Sequence, residues 1–248
     1  MIILTILFFI TAILYASVGF GGGSTYLALM LIWEIPYYIF PIIALFCNII
    51  VVSGNSINFV RSGNINLKLI LPYLIGSIPF AFIGASISLE KEIFEILLFL
   101  VLIIAGLFLL LESNIYNKKN LKINSIPTFI SIFIGSSIGF VSGIVGIGGG
   151  IFLSPILFLL KAAYPKHITS SASLFILINS IFGVAGQLTK EIVLNEFLNY
   201  WPLFLAVLIG GQIGNYLNIK FLSNKALALL TSLLIIFVAI RMGFRILF

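Results

Sequence analysis

The stretch Ile93-Phe-Glu-Ile-Leu-Leu-Phe-Leu-Val-Leu-Ile-Ile-Ala-Gly-Leu-Phe-Leu-Leu-Leu111 carries one charge and is apolar on every face. A hydrocarbon core about 30 Å thick is crossed by about 20 helical residues rising about 1.5 Å each. Backbone groups in lipid must bond internally, which leaves helices or a closed barrel. Barrel strands alternate apolar and polar residues, and this stretch does not. It reads as a membrane helix. The rest of the chain agrees: hydrophobic residues fill 61% of the 248 positions and charged residues only 8%, against roughly 25% charged in a soluble domain. The first cation is Arg61, and Glu34 is the only charge ahead of it. The expected fold is all-α, a polytopic transmembrane helical bundle.

Composition also excludes function classes. There is no Asp, one His and one Cys, so Ser-His-Asp, Cys-His and clustered metal ligands are all missing and no enzyme, catalytic residue, metal or cofactor is expected. Cys47 lies in an apolar run, and a lone cysteine has no partner for a disulfide within the chain. The net charge of +6 fits cytoplasmic loops under the positive-inside rule, and no basic run suits nucleic acid. Met1–Ile10 has no basic n-region, and Ser17–Gly23 is a glycine cluster rather than a cleavage site, so the N-terminus is expected to be the first mature helix of a multi-pass membrane protein.

The chain reads as a duplication. Gly19-Phe-Gly-Gly-Gly23 and Gly146-Ile-Gly-Gly-Gly150 lie 127 residues apart. Each follows a long apolar segment and precedes a short one. Ala44-Leu-Phe46 matches Ser173-Leu-Phe175 at 129, while Pro72 matches Pro202 and Gly84 matches Gly214 at 130. Each half then gives five helical segments, near 2–18, 23–33, 37–60, 67–89 and 92–111, and near 127–145, 150–162, 168–189, 196–218 and 222–247. The expected organisation is an N-terminal repeat (1–112), a polar linker (113–125) and a C-terminal repeat (126–248).

The second segment of each half is too short to span. It either continues the first helix as one glycine-broken span or folds back as a re-entrant hairpin. In the hairpin reading Arg61, Lys68, Lys118, Lys119, Lys122, Lys161, Lys166, Lys220 and Lys225 share one side, against Lys91, Lys190, Arg241 and Arg245 on the other. The broken-span reading splits the cations eight to five. The sharper asymmetry favours the hairpin. Three further spans per half then make the second repeat inverted, the plan many secondary transporters use.

A helix that restarts after Gly-x-Gly-Gly-Gly points unpaired N–H groups and partial positive charge into the break, which favours an anion. The candidate substrate-binding residues are therefore Gly19, Gly21, Gly22 and Gly23 with Ser24 and Thr25, and Gly146, Gly148, Gly149 and Gly150. Two such ends meeting from opposite sides could hold an anion without a buried cation. The alternative is that glycine-rich faces only pack helices closely. Polar groups inside spans add Asn48 and Asn55, two helical turns apart, and Asn179 and Gln187 in the matching segment. Their competing reading is interhelical hydrogen bonding. Ser170, Ser171 and Ser173 read as capping or packing residues, and His167 and Glu34 as interfacial.

The paired motifs, with Ser24-Thr25 after the first and Ile151-Phe-Leu-Ser-Pro155 after the second, and the glycine-bearing spans around Gly76–Gly84 and Gly210–Gly214, resemble the TauE/SafE family of sulfite-exporter-like permeases. The resemblance covers nearly the whole chain. It implies an inner-membrane permease for small sulfur oxyanions or organosulfur compounds such as sulfite or sulfonates, driven by an ion gradient of H+ or Na+. The partners it implies are a small anionic substrate, a coupling ion and membrane lipid. The competing classes are a membrane scaffold packed through its glycine faces and a passive channel.

Overall fold

The computed structural model describes residues 1–63, 65–115, 123–190 and 196–217, with Ile236, Ile240 and Gly243 beyond them. Among these residues the chain forms α1 (Ile2–Val18), α2 (Gly23–Ile32), α3 (Phe40–Arg61), α4 (Leu67–Ser86), α5 (Lys91–Ile115), α6 (Thr128–Val145), α7 (Gly150–Leu159), α8 (Pro165–Gln187) and α9 (Trp201–Leu217). Short 3-10 turns, Tyr37–Ile39 and Phe197–Tyr200, lead into α3 and α9. Nine of the ten expected segments appear within a few residues of their expected bounds. The tenth, 222–247, lies outside the described residues except for Ile236, Ile240 and Gly243, as does most of the 113–125 linker with its three lysines.

Among the described residues, five helices are long and apolar enough to cross a membrane: Tyr37–Arg61, Leu67–Ser86, Thr128–Val145, His167–Gln187 and Phe197–Tyr216. The Tyr37–Arg61 span is 61% buried and His167–Gln187 56%, against 28% for Phe197–Tyr216. The first two, α3 and α8, form the centre of the bundle and pack on each other. Large apolar side chains such as Phe129, Ile2 and Leu67 point outward. In water such a surface would drive aggregation, whereas in lipid it is ordinary solvent contact.

The glycine motifs decide how the short helices lie. Helix α1 ends at Gly19 in the left-handed region, φ 88° and ψ 18°. Gly19 N–H bonds Ala16 O and Phe20 N–H bonds Tyr15 O, a Schellman cap that only glycine enters without strain. Helix α6 ends at Gly146 with the same φ 88° and ψ 18°. After the first cap the chain turns back on itself. The rings of Phe8 and Tyr26 stack with centroids 4.7 Å apart, and Tyr15 Oη shares a 2.8 Å hydrogen bond with Thr25 Oγ1. A collinear continuation would separate Phe8 and Tyr26 by about 25 Å along the axis. Helix α2 therefore runs back alongside α1. In the second motif a methyl at Gly149 would fall 2.9 Å from Ile138 Cγ2, and in the first a methyl at Gly22 would fall 3.2 Å from Thr11 Cγ2. Both pairs are separated by the same stretch of chain, so both motifs fold back to their own preceding helix.

The outer helices pair crosswise. Helix α4 of the first half packs along α6 of the second, and α9 of the second packs along α1 of the first. Glycines permit both contacts. A methyl at Gly84 would strike Phe140 O, and one at Gly214 would fall 2.5 Å from Ile13 O. On α6 the row Gly135, Gly139 and Gly143 lies against the backbone of Tyr73, Ser77 and Ala81, so two helix backbones touch through small residues.

Candidate functional site

Asn48 stands where the two motifs meet. It lies mid-way along α3 and is 0% exposed. A methyl added at Gly23 would fall 2.5 Å from Ile147 O and 2.7 Å from Asn48 Nδ2, and one at Gly148 would fall 2.7 Å from the same nitrogen. Gly21 lies against Asn48 Oδ1. The three glycines leave room for the amide between the hairpin tips. Asn48 Nδ2 donates to Ile147 O at 3.1 Å. A carbonyl only accepts, so this bond fixes which end of the amide is nitrogen. The other end, Oδ1, is buried and has no hydrogen-bond partner among the described residues.

Helix α8 supplies the facing wall. Ile176 lies against Gly21, Gly148 and Gly150, and Ser180 Oγ would sit 3.0 Å from a methyl on Gly148. Ser180 is 0% exposed, and its hydroxyl also lacks a partner among the described residues. The two restarting helices bring N–H groups. Thr25 and Tyr26 N–H bond Gly22 O, each at 3.0 Å, and Phe152 and Leu153 N–H bond Gly149 O, each at 3.1 Å. The N–H groups just ahead of these, Gly21 through Ser24 and Ile147 through Ile151, have no backbone acceptor among the described residues. Donors from two helix starts and two partnerless side-chain oxygens thus share one buried region.

The structure separates the expected residues into groups. Gly21, Gly23, Gly148, Gly150 and Asn48 converge. Gly22 and Gly149 instead shape the turns, against Tyr15 and Phe175, and Gly19 and Gly146 are close-packing points on Phe59 and Pro41. Ser24 is buried beside the motif, and Thr25 is engaged by Tyr15. Asn179 lies next to Ser180 in the chain but donates to Phe175 O of its own helix at 2.9 Å. Asn55 and Gln187 are each seven residues from Asn48 and Ser180 respectively, about 10 Å along their helices, and so lie away from the convergence. Ser170 Oγ donates to His167 O and Ser173 Oγ pairs with Ser56 Oγ at 3.4 Å. Ser180 and the Ile147 carbonyl were not legible beforehand. A single serine in an apolar helix and a backbone oxygen carry no sequence signal.

The sequence profile described as Sulfite exporter TauE/SafE matches residues 4–242. The chain belongs to this family. It is similar to the probable membrane transporter protein y4hK of Sinorhizobium fredii, 28% identical over 235 residues and 94% of each chain. It is also similar to the probable membrane transporter protein YunE of Bacillus subtilis, 23% identical over 268 residues, 97% of this chain and 96% of that one. An archaeal relative, the probable membrane transporter protein MJ0441 of Methanocaldococcus jannaschii, is 30% identical over 205 residues, 76% of this chain and 73% of its own. No solved structure matches the chain. As a TauE/SafE protein it is a membrane transporter rather than an enzyme or a packing scaffold. It is a multi-pass integral membrane protein and, in a bacterium, one of the inner membrane.

Proposed function

We propose that this TauE/SafE protein carries small sulfur oxyanions, sulfite or sulfonates, coupled to an ion gradient, and binds them where its two glycine motifs meet around Asn48. The observation that carries this reading is the partnerless Asn48 Oδ1 beside two helix N-termini. N–H groups at helix starts attract negative charge. A buried acceptor without a donor costs about 1–3 kcal/mol, so the site is incomplete as it stands. A singly protonated oxyanion such as hydrogen sulfite would complete it. Its charged oxygens would accept from the glycine N–H groups and Ser180, and its O–H would donate to Asn48 Oδ1. Carrying the proton with the substrate would itself provide coupling to a pH gradient.

Alternating access follows if the halves are an inverted repeat with boundaries near 112 and 126. Support comes from the shared caps at Gly19 and Gly146, the two fold-back hairpins, and the crosswise pairing of α4 with α6 and α1 with α9. The test is uptake of radiolabelled sulfite into proteoliposomes with and without a pH gradient, competed by unlabelled sulfite, sulfoacetate or chloride. Saturable uptake that follows the gradient and is lost on Asn48→Asp is the expected result. Sulfite uptake that neither saturates nor responds to the gradient would point to a passive channel, and no uptake of any of the three anions would remove the anion reading.

A further inference from the structure

A second polar feature lies at the end of the bundle where α3 begins and α4 and α8 end. A cavity of about 520 Å3 opens there, lined by Tyr38, Pro41, Ser86, Ile144, Thr189 and Lys190 among others. That volume lies within the roughly 300–1,000 Å3 typical of small-molecule sites. Among the described residues that line it, Lys190 is the only charged one. The neighbouring cavity of about 310 Å3 sets Glu34 and Glu95 beside Lys91, and offers no such excess of positive charge. Glu196 accepts a hydrogen bond from Tyr38 Oη at 2.9 Å.

The lysine is fixed, with donor capacity to spare. Its Nζ donates to Ile87 O at 2.7 Å and to Gln187 Oε1 at 3.1 Å. An ammonium has three N–H groups, so one is left without an acceptor among the described residues. Burial lowers its pKa to about 8, so it is still mostly charged near neutral pH. The hydroxyls of Ser86 and Thr189 are committed to Phe82 O and Gly186 O. A lysine that only capped α8 would need nothing more. Two further observations go beyond capping. Gln187 is 0% exposed, yet its Nε2 donor has no partner among the described residues. Gln187, Gly183, Ser180 and Ile176 also follow the helical spacing that puts residues on one face of α8, and that face ends against Gly148 and Gly21. The cavity floor reaches the second motif as well, because Pro41 and Ile144 line it and Gly146 packs directly on Pro41.

We propose that the Lys190 cavity is a capture site for a free small oxyanion, which Gln187 then passes down the α8 face towards Ser180 and the glycine motifs. This inference rests on the anion reading above. Lys190 supplies long-range attraction at the mouth, where water remains, and Gln187 offers a neutral donor where a buried charge would be costly.

Two measurements on the full-length protein in proteoliposomes test it. In sulfite uptake, Lys190→Gln should raise KM about tenfold with Vmax within about twofold of the native protein, and Lys190→Arg should restore KM. A fall in Vmax and thermal midpoint at unchanged KM would mean that Lys190 only caps the helix, and would overturn the proposal while leaving the anion reading intact. The second measurement is independent of transport. Modification of Lys190 by an amine reagent, read by mass spectrometry with exposed Lys91 as internal control, should be slowed by millimolar sulfite or sulfate in phosphatidylcholine vesicles. Absence of protection would overturn the capture site even if sulfite is never transported. Protection that follows the fraction of anionic lipid instead of dissolved oxyanion would assign the lysine to headgroup phosphate and overturn it equally.

Discussion

Single residues here are constrained by what would collide or be left unpaired. Asn48 fits only because Gly21, Gly23 and Gly148 carry no side chain, and its one bond satisfies Ile147 O. Asn48→Asp replaces a donor with a carboxylate facing that carbonyl and the anion. We expect sulfite uptake below about a tenth of native, together with destabilisation of about 1–3 kcal/mol, the cost of a buried carbonyl left unpaired. Native-like uptake by this variant would show that Asn48 does not face the substrate. Gly146 combines a φ of 88° with a Pro41 backbone too close for any added methyl, whereas Gly63, at φ 65°, has nothing within 4 Å of one among the described residues. Gly63→Ala should therefore cost only the backbone term, about 1–2 kcal/mol, and Gly146→Ala clearly more, read as thermal midpoints in detergent. Lys190 has the opposite sign to a stabilising ion pair. Its pKa falls from 10.5 to about 8 on burial, so its charge weakens the fold below pH 8, and the cost is relieved as pH rises from there towards 10.5. The stability difference between native protein and Lys190→Gln should narrow over that window.

At the scale of elements, close backbone approach replaces the hydrophobic effect, which gives helices in lipid no reason to associate. The Gly135, Gly139 and Gly143 row on α6 meets α4, and Gly210 and Gly214 on α9 meet Phe9 O and Ile13 O of α1. A methyl on Gly139 would fall 2.7 Å from Ser77 Cα, while one on Gly211 would have Val51 as its neighbour at 3.6 Å. Gly139→Val should disperse the protein on size exclusion or sharply lower its thermal midpoint, and Gly211→Ala should be neutral. Equal effects would mean that the glycine row does not hold the two helices together. The sequence showed glycines in these helices, but not that α4 would choose α6 and α9 would choose α1. Partner choice depends on backbone surfaces from opposite ends of the chain.

For the whole molecule, the inverted reading makes a prediction about sides. Ser62, before α4, and Asn124, before α6, should lie on the cytoplasmic side, and Ser88 and Thr189 on the other. All four are exposed, and the native Cys47 is buried, so single cysteines at these positions can be labelled with an impermeant maleimide in right-side-out and inverted vesicles. Ser88 and Thr189 labelling together, opposite to Ser62 and Asn124, is the expected pattern. Ser62 and Ser88 labelling from one side would remove the inverted arrangement, because α4 would then fail to cross.

Composition by itself determined that this is a helical membrane protein, since a chain with so few charges and no alternation has no other way to satisfy its backbone in lipid. Its glycine motifs, by their spacing and the short helices after them, marked two breaks and through their resemblance the TauE/SafE family. Whether each break continued or folded back was not determined locally, because Gly-x-Gly-Gly-Gly permits both. The stacking of Phe8 on Tyr26 decided it for the first. Tertiary structure alone also placed Asn48, of four candidate amides, between the two motifs, turned Gln187 towards Lys190, and brought Ser180 to the second motif. Those choices depend on which helix faces meet across the two halves, and a periodic apolar sequence specifies that a face is buried without specifying against what.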